Sequence, residues 1–236
     1  MADEFGTFWM VTGVREAYYG VGRPRGQNER GIPVAEPHEF GLAGVDLSPG
    51  DHLCAMYLGQ EERDNIVLPY LRAGLRAGDK CFCIIDSSPL GDLLAGIGDE
   101  REVEAYVASR QLEVRTADEA YLRTVPFTTE AMLEYWENSV GAAVKSGSYV
   151  FARVTGEMPW EMRTLPGRTE FFRYEGALNR FAPRYPQAIL CLYDLDRFGG
   201  GFLVDLLRTH PKLLMGGLVL ENPHYRPPEE LAALSA

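Results

Sequence analysis

The sequence predicts a three-layer α/β fold, a mainly parallel sheet with helices on both faces. Three observations predict it. Near-continuous apolar runs of strand length, HLCAMYL, KCFCIID and AILCLYDL among them, recur along the chain, as strands buried on both faces require. Between them lie stretches of ten or more residues with helical patterning, the spacing of a crossover connection. A chain of 236 residues that is 46% hydrophobic and 24% charged can also bury a core of that size.

The elements follow in order. HLCAMYL gives a strand at 52–58, and NIVLPYLRAGLRAG places a helix over 63–77 that ends at a glycine. KCFCIID forms the next strand, 80–86, followed by a helix at 99–109 and the strand LEVRTA at 112–117. A long helical pattern at 128–146 leads into the strand YVFARVTG, 149–156, and a helix at 168–182 into AILCLYDL, 188–195. A helix at 199–209 and a last strand LLMGGLVL, 213–220, complete the array over residues 45–236. Residues 1–44 differ, with Gly20, Gly22, Gly26, Gly31, Pro24, Pro33 and Pro37 around the aromatics Phe8, Trp9, Tyr18 and Tyr19, and read as a partly extended N-terminal arm.

Composition excludes several classes of function. A net charge of −11 disfavours direct nucleic-acid binding, and no apolar run reaches the ~18 residues of a membrane span. The opening MADEFGTFWM lacks the basic and apolar regions of a secretory signal, so a cytoplasmic location is expected. Cys54, Cys81, Cys83 and Cys191 lie in apolar runs and read as reduced core residues. Cys81 and Cys83 are expected on opposite faces of their strand, too far apart to pair.

Ligands of such sheets bind beyond the carboxyl ends of the strands. The first of these ends runs GQEERDN, with Glu61 and Glu62 where a P-loop would need glycine, lysine and a hydroxyl. Each carboxylate would repel a triphosphate by roughly 1 kcal/mol even at solvent dielectric. The scaffold is of nucleotide-binding type, put to another use. The other strand ends supply Asp86, Glu157, Trp160, Asp194, Glu221 and Asn222, which with Tyr57 make a polar and aromatic rim suited to a small molecule.

HLCAMY, GLRAGDKCFCIID, QLEVRTADEAYL, RVTGEMPW, YEGALN, PRYPQAILCLYD, LLRTHP and ENPHY, in this order over about 46–231, together resemble the MEDS domain, the methanogen/methylotroph sensory domain of dichloromethane-responsive regulators. The resemblance implies a RecA/KaiC-like core that has lost its P-loop and that senses small hydrocarbon or one-carbon derivatives without catalysis or cofactor. It also implies a role in transcription regulation or other signal transduction through a partner protein, since no output segment is recognised in this chain, and association into a homo-oligomer is compatible with it. The positions matching the family motifs, and so the implied ligand-binding set, are His52, Tyr57, Asp86, Arg153, Glu157, Trp160, Glu175, Asn179, Tyr193, Asp194, Glu221 and Asn222, with His210 beside them.

Each has a plainer role. His52 and Cys54 share a strand face and offer two metal ligands, with Cys81, Cys191, His210 or His224 to complete a set, or else His52 is a core histidine bonded to a carboxylate. Arg153 lines the pocket or pairs with Glu157 or Glu175 as scaffold. Glu175 and Asn179, at i and i+4, share one helix face. Asp194 and Asp196 cap the next helix or bond a polar ligand. Two functions compete with the sensor: a ligand-free partner-switch or scaffold protein, and an enzyme using Glu157 or Glu175 as general base.

Overall fold

The computed structural model describes residues 38–86, 88–123, 126–158 and 167–230. The chain divides into Met1–Ala35 and Glu36–Ala236, and the described residues all belong to the second unit. Seven strands form its main sheet: β3 (His52–Tyr57), β4 (Lys80–Ile85), β5 (Leu112–Thr116), β6 (Ala152–Glu157), β7 (Gln187–Asp194), β8 (Lys212–Met215) and β9 (Leu218–Glu221). Their order is β5-β4-β6-β7-β3-β8-β9, parallel except for β9. A two-stranded antiparallel ribbon, β1 (His38–Glu39) with β2 (Asp46–Leu47), precedes them. β1 lies within the stretch read from sequence as arm.

The helices are α1 (Gly59–Ala77), α2 (Leu90–Ile97), α3 (Glu100–Ala108), α4 (Thr129–Trp136), α5 (Ala142–Lys145), α6 (Arg168–Phe181) and α7 (Gly200–Thr209), with a π-turn, Glu137–Gly141, joining α4 to α5. Strand side chains alternate between faces, and both faces here are apolar. One carries Leu53, Ala55, Cys81, Cys83 and Leu190 against Val67, Tyr70 and Leu71 of α1, Leu93 of α2 and Val103 of α3. The other carries Cys54, Met56, Phe82, Val154, Cys191 and Tyr193 against Trp136 of α4, Phe171, Tyr174 and Leu178 of α6, and Leu206 of α7. Each such aliphatic or aromatic side chain withdrawn from water stabilises the fold by roughly 1.5–3 kcal/mol, and together they fix the three layers.

Three details differ from the sequence expectation. The last strand is a hairpin, because Gly216 and Gly217 both take positive φ (57° and 76°), the conformation of a two-residue turn that only glycine enters freely. A further helix, α2, precedes the one expected at 99–109. Cys81 and Cys83, expected on opposite faces, share the α1 face, because a strand repeats every two residues. Among the described residues no helix is long and apolar enough to cross a membrane.

Candidate functional site

The connection leaving β3 runs toward β4 on one side of it, and that leaving β7 runs toward β8 on the other. The carboxyl ends of β3 and β7 therefore flank the switch point where open α/β sheets form a crevice. A pocket of about 150 Å³ lies there, lined by Tyr57, Gly59, Gln60, Arg63, Ser88, Asp194 and Arg197. The link between β3 and α1 is one residue long, Leu58, whose N–H donates to Glu62 Oε2 at 2.7 Å. No stretch remains for a phosphate-wrapping loop. The first turn of α1 is instead closed by its own acidic residue.

Glu157, the last residue of β6, is buried and tied on several sides. Arg63 Nη1 donates to its Oε1 at 2.7 Å, the Asp86 N–H to its Oε2 at 2.8 Å, and the Ser88 hydroxyl to Oε1. This carboxylate ties the loop after β4 to α1. Asp194 receives Arg197 Nε at 3.3 Å and the Asp196 N–H at 3.1 Å, a local turn at the end of β7. Burial, helped by the Glu157 and Asp194 carboxylates, pushes the Tyr57 phenol above its ordinary pKa, so it remains a hydroxyl donor at neutral pH.

A second group lies inside the layer between the sheet and α6–α7. His52 Nε2 sits 3.4 Å from Cys191 Sγ and 3.5 Å from Glu175 Oε2, while His210 Nε2 lies 3.2 Å from that same oxygen. The two imidazole centroids are 4.3 Å apart, and Tyr193 packs edge-on to His210 at 5.7 Å. His52, Glu175, Cys191 and His210 are all fully buried. Burial opposes ionisation of Glu175, while the two imidazoles beside it, in their protonated form, outweigh burial and lower its carboxyl from the ordinary range. Burial, with His52 adding to it, lowers His210, and burial next to Glu175 pushes the Cys191 thiol well up. The contacts to Glu175 fall within ion-pair range, but their angles leave both its oxygens, His210 Nε2 and the Tyr193 hydroxyl without a formed hydrogen bond.

The remaining expected residues are dispersed. Arg153 pairs with Asp79, not with Glu157 or Glu175: its Nε reaches Asp79 Oδ2 at 2.8 Å, and its guanidinium serves the carbonyls of Glu39, Phe40 and Tyr70. It lies on the α1 face, across the sheet from Glu175. Asn179 joins the buried group by accepting from His52 Nδ1 at 2.9 Å. Asn222 donates to the carbonyls of Leu207 and His210 and so closes the end of α7, while Glu221 is exposed on edge strand β9. Cys54 shares the chamber's face, but Cys191 is the sulfur beside His52. Trp160 lies outside the described residues. Sequence reasoning missed Arg63, whose signal was a lone arginine one turn into the helix that follows β3.

A mainly parallel sheet covered on both faces, with a small polar crevice at its switch point and a polar chamber under one helical layer, defines a three-layer α/β domain. Its family is shown by sequence. The MEDS family, described as the methanogen/methylotroph, DcmR sensory domain, matches residues 51–211, and the chain belongs to it. The "Transcriptional repressor DcmR" of Methylorubrum extorquens (strain DSM 6343 / CIP 106787 / DM4) is similar, 29% identical over 170 residues that cover 72% of this chain and 61% of the repressor. The chain thus matches less than two thirds of that protein's length. A sensory, regulatory role follows from this membership.

Proposed function

We propose that the domain is a non-catalytic sensor of a small polar organic molecule, of the size of a one-carbon derivative or short alcohol, amine or acid, bound in the crevice at the ends of β3 and β7. The observation that carries this reading is the pocket of about 150 Å³ lined by Tyr57, Gln60, Arg63, Ser88, Asp194 and Arg197. At ~30 Å³ per water in the liquid, it has the volume of roughly five waters, which suits a few heavy atoms and is well below a nucleotide. The topology and the missing phosphate loop fit descent from a RecA/KaiC-like core.

A ligand shifts an equilibrium only by its preference for one state. Here the preference arises at Arg63. A ligand carboxylate or hydroxyl that draws this guanidinium from Glu157 loosens Ser88 and the Asp86 N–H from the same carboxylate, and the loop after β4 moves. The output is transcription control through a regulatory protein partner, in line with the similarity to a transcriptional repressor.

A thermal-shift screen with one-carbon compounds, short alcohols, amines and carboxylates tests the reading. A true ligand at ~100 times its dissociation constant adds about 2.7 kcal/mol of stability, and the response should vanish in Tyr57→Phe combined with Arg197→Ala. Silence across the panel would favour the ligand-free scaffold. Stabilisation by MgATP would refute the argument from the closed loop.

A further inference from the structure

We infer that His52, Glu175, Cys191 and His210 form a transition-metal site of the zinc class, separate from the crevice and independent of the sensor reading. One ligand atom from each of the four lies within 4.8 Å of the others, in full burial. Three of the six separations match a coordination shell, and the set as a whole, spread over up to 4.8 Å, would draw together around an ion. Metal–nitrogen and metal–oxygen bonds of about 2.0–2.1 Å and a metal–sulfur bond of about 2.3 Å, arranged tetrahedrally, put N···O near ~3.3 Å and N···S near ~3.5 Å. The contacts at 3.2 and 3.5 Å between imidazole nitrogens and Glu175, and at 3.4 Å between His52 and Cys191, fall on those edges.

The outer hydrogen bonds fix which way the lone pairs face. The Asn179 amide is oriented because its Nδ2 donates to the Thr209 carbonyl at 2.6 Å, leaving Oδ1 to accept from His52 Nδ1 at 2.9 Å. The Thr209 hydroxyl donates to the Leu206 carbonyl at 2.8 Å, so it accepts from His210 Nδ1 at 2.9 Å. Both Nδ1 atoms therefore carry a proton, and in the neutral imidazoles the His210 Nε2 lone pair faces the Glu175 carboxylate while that of His52 lies between the carboxylate and Cys191 Sγ. Lone pairs turned toward an anion repel it, and neither Glu175 oxygen nor His210 Nε2 finds a hydrogen bond. A cation at the centre turns each of these repulsions into a bond, and the partner on the far ring nitrogen is the arrangement by which metal-binding histidines are held.

Two imidazoles, a thiolate and a carboxylate are borderline-soft donors in a closed set, which favours zinc over magnesium or calcium. Binding forms the metal–sulfur bond and breaks the Cys191 S–H bond, the proton leaving to water. The four ligands come from β3, α6, β7 and the link after α7, so the ion clasps two strands to two helices.

The test uses the full chain, expressed with added zinc and analysed for metal, then unfolded with chelator and refolded with cobalt(II). The expected results are one zinc per chain and, with cobalt, the visible absorption of a tetrahedral ion together with a thiolate-to-metal band. Cys191→Ser, which preserves volume, should abolish that band, and Asn179→Ala should weaken metal affinity by about 10–100-fold. A Cys54→Ser control should keep the band. Metal-free protein that takes up no cobalt would overturn the assignment and leave the group as a proton-sharing ion pair. A band that survives Cys191→Ser would overturn it too. Neither outcome touches the crevice, whose ligand response is read in the thermal-shift panel.

Discussion

Arg153 gives the sharpest test of how the domain is held together. Its guanidinium is fully buried, pairs with the buried Asp79 at 2.8 Å and donates to three carbonyls, two of them in the β1 segment. Replacing it by methionine removes one partner of a buried pair, which costs about 3–5 kcal/mol because Asp79 is left uncompensated. The three carbonyls also lose a donor, at roughly 0.5–1.5 kcal/mol each. The total approaches the whole stability of an ordinary domain, so Arg153→Met should be unfolded or nearly so. Arg153→Lys is the measurable variant. A lysine keeps the charge beside Asp79 but cannot fork to the carbonyls, and a loss of about 2–3 kcal/mol is expected. Urea unfolding followed by the fluorescence of Trp136, which stands edge-on to Phe82 in the core, reads it out. A lysine variant within about 0.5 kcal/mol of the parent, or no coupling between Arg153→Lys and Asp79→Asn in a double-mutant cycle, would refute the reasoning.

Other outcomes follow from packing and charge. A methyl group at Gly74 would stand 2.4 Å from Arg153 Cδ and 2.9 Å from Cys81 Sγ. Gly74→Ala should therefore cost about 1–3 kcal/mol by overpacking, visible as a lowered Tm with the sheet signal in circular dichroism intact. Gly217→Val should destabilise the β8–β9 hairpin, since φ is 76° there, and hydrogen exchange of the Leu218–Glu221 amides should quicken before that of β7. Burial resists ionisation of Glu113, but its bond to Lys80 prevails and lowers the carboxyl below its ordinary range. A folded pKa below the unfolded one contributes stability that is complete above ~4.3 and is lost as pH falls through the folded value. Lys80→Met should flatten that acid limb in unfolding measured from pH 7 downward.

The alternation of strands and helices was legible because parallel strands buried on both faces leave apolar runs that need no alternation to be seen. LLMGGLVL was misread as one strand because its apolar residues continue across the turn, although the Gly216-Gly217 pair carried the signal of a hairpin. α2 hid behind Gly91 and Gly96, which weaken a helical pattern. At the site, His52, Glu175 and Asn179 were each visible through the family resemblance, but their convergence was not. It depends on β7 pairing with β3, and Cys54 stands directly opposite Cys191 in that ladder, so spacing alone could not say which sulfur meets the histidine. The same holds for Arg153. Asp79 sits in the turn before β4, and only the pairing of Lys80 with Ala152 brings it alongside.

The placement of β3 also governs the order in which the chain can assemble. Its two sheet neighbours are β7 and β8, with His52 opposite Ile189 and Leu53 opposite Lys212, so the earliest strand of the sheet must wait for nearly the last. Closing so long a loop costs entropy before any contact rewards it, and topologies dominated by distant pairings fold slowly. During synthesis HLCAMY therefore leaves the ribosome as an apolar strand with both edges open, in need of protection until Asp194 and Met215 have followed. Chains truncated before β7 should accumulate as aggregates or chaperone-bound species, while the β4–β5 pair, neighbours in sequence, gathers first.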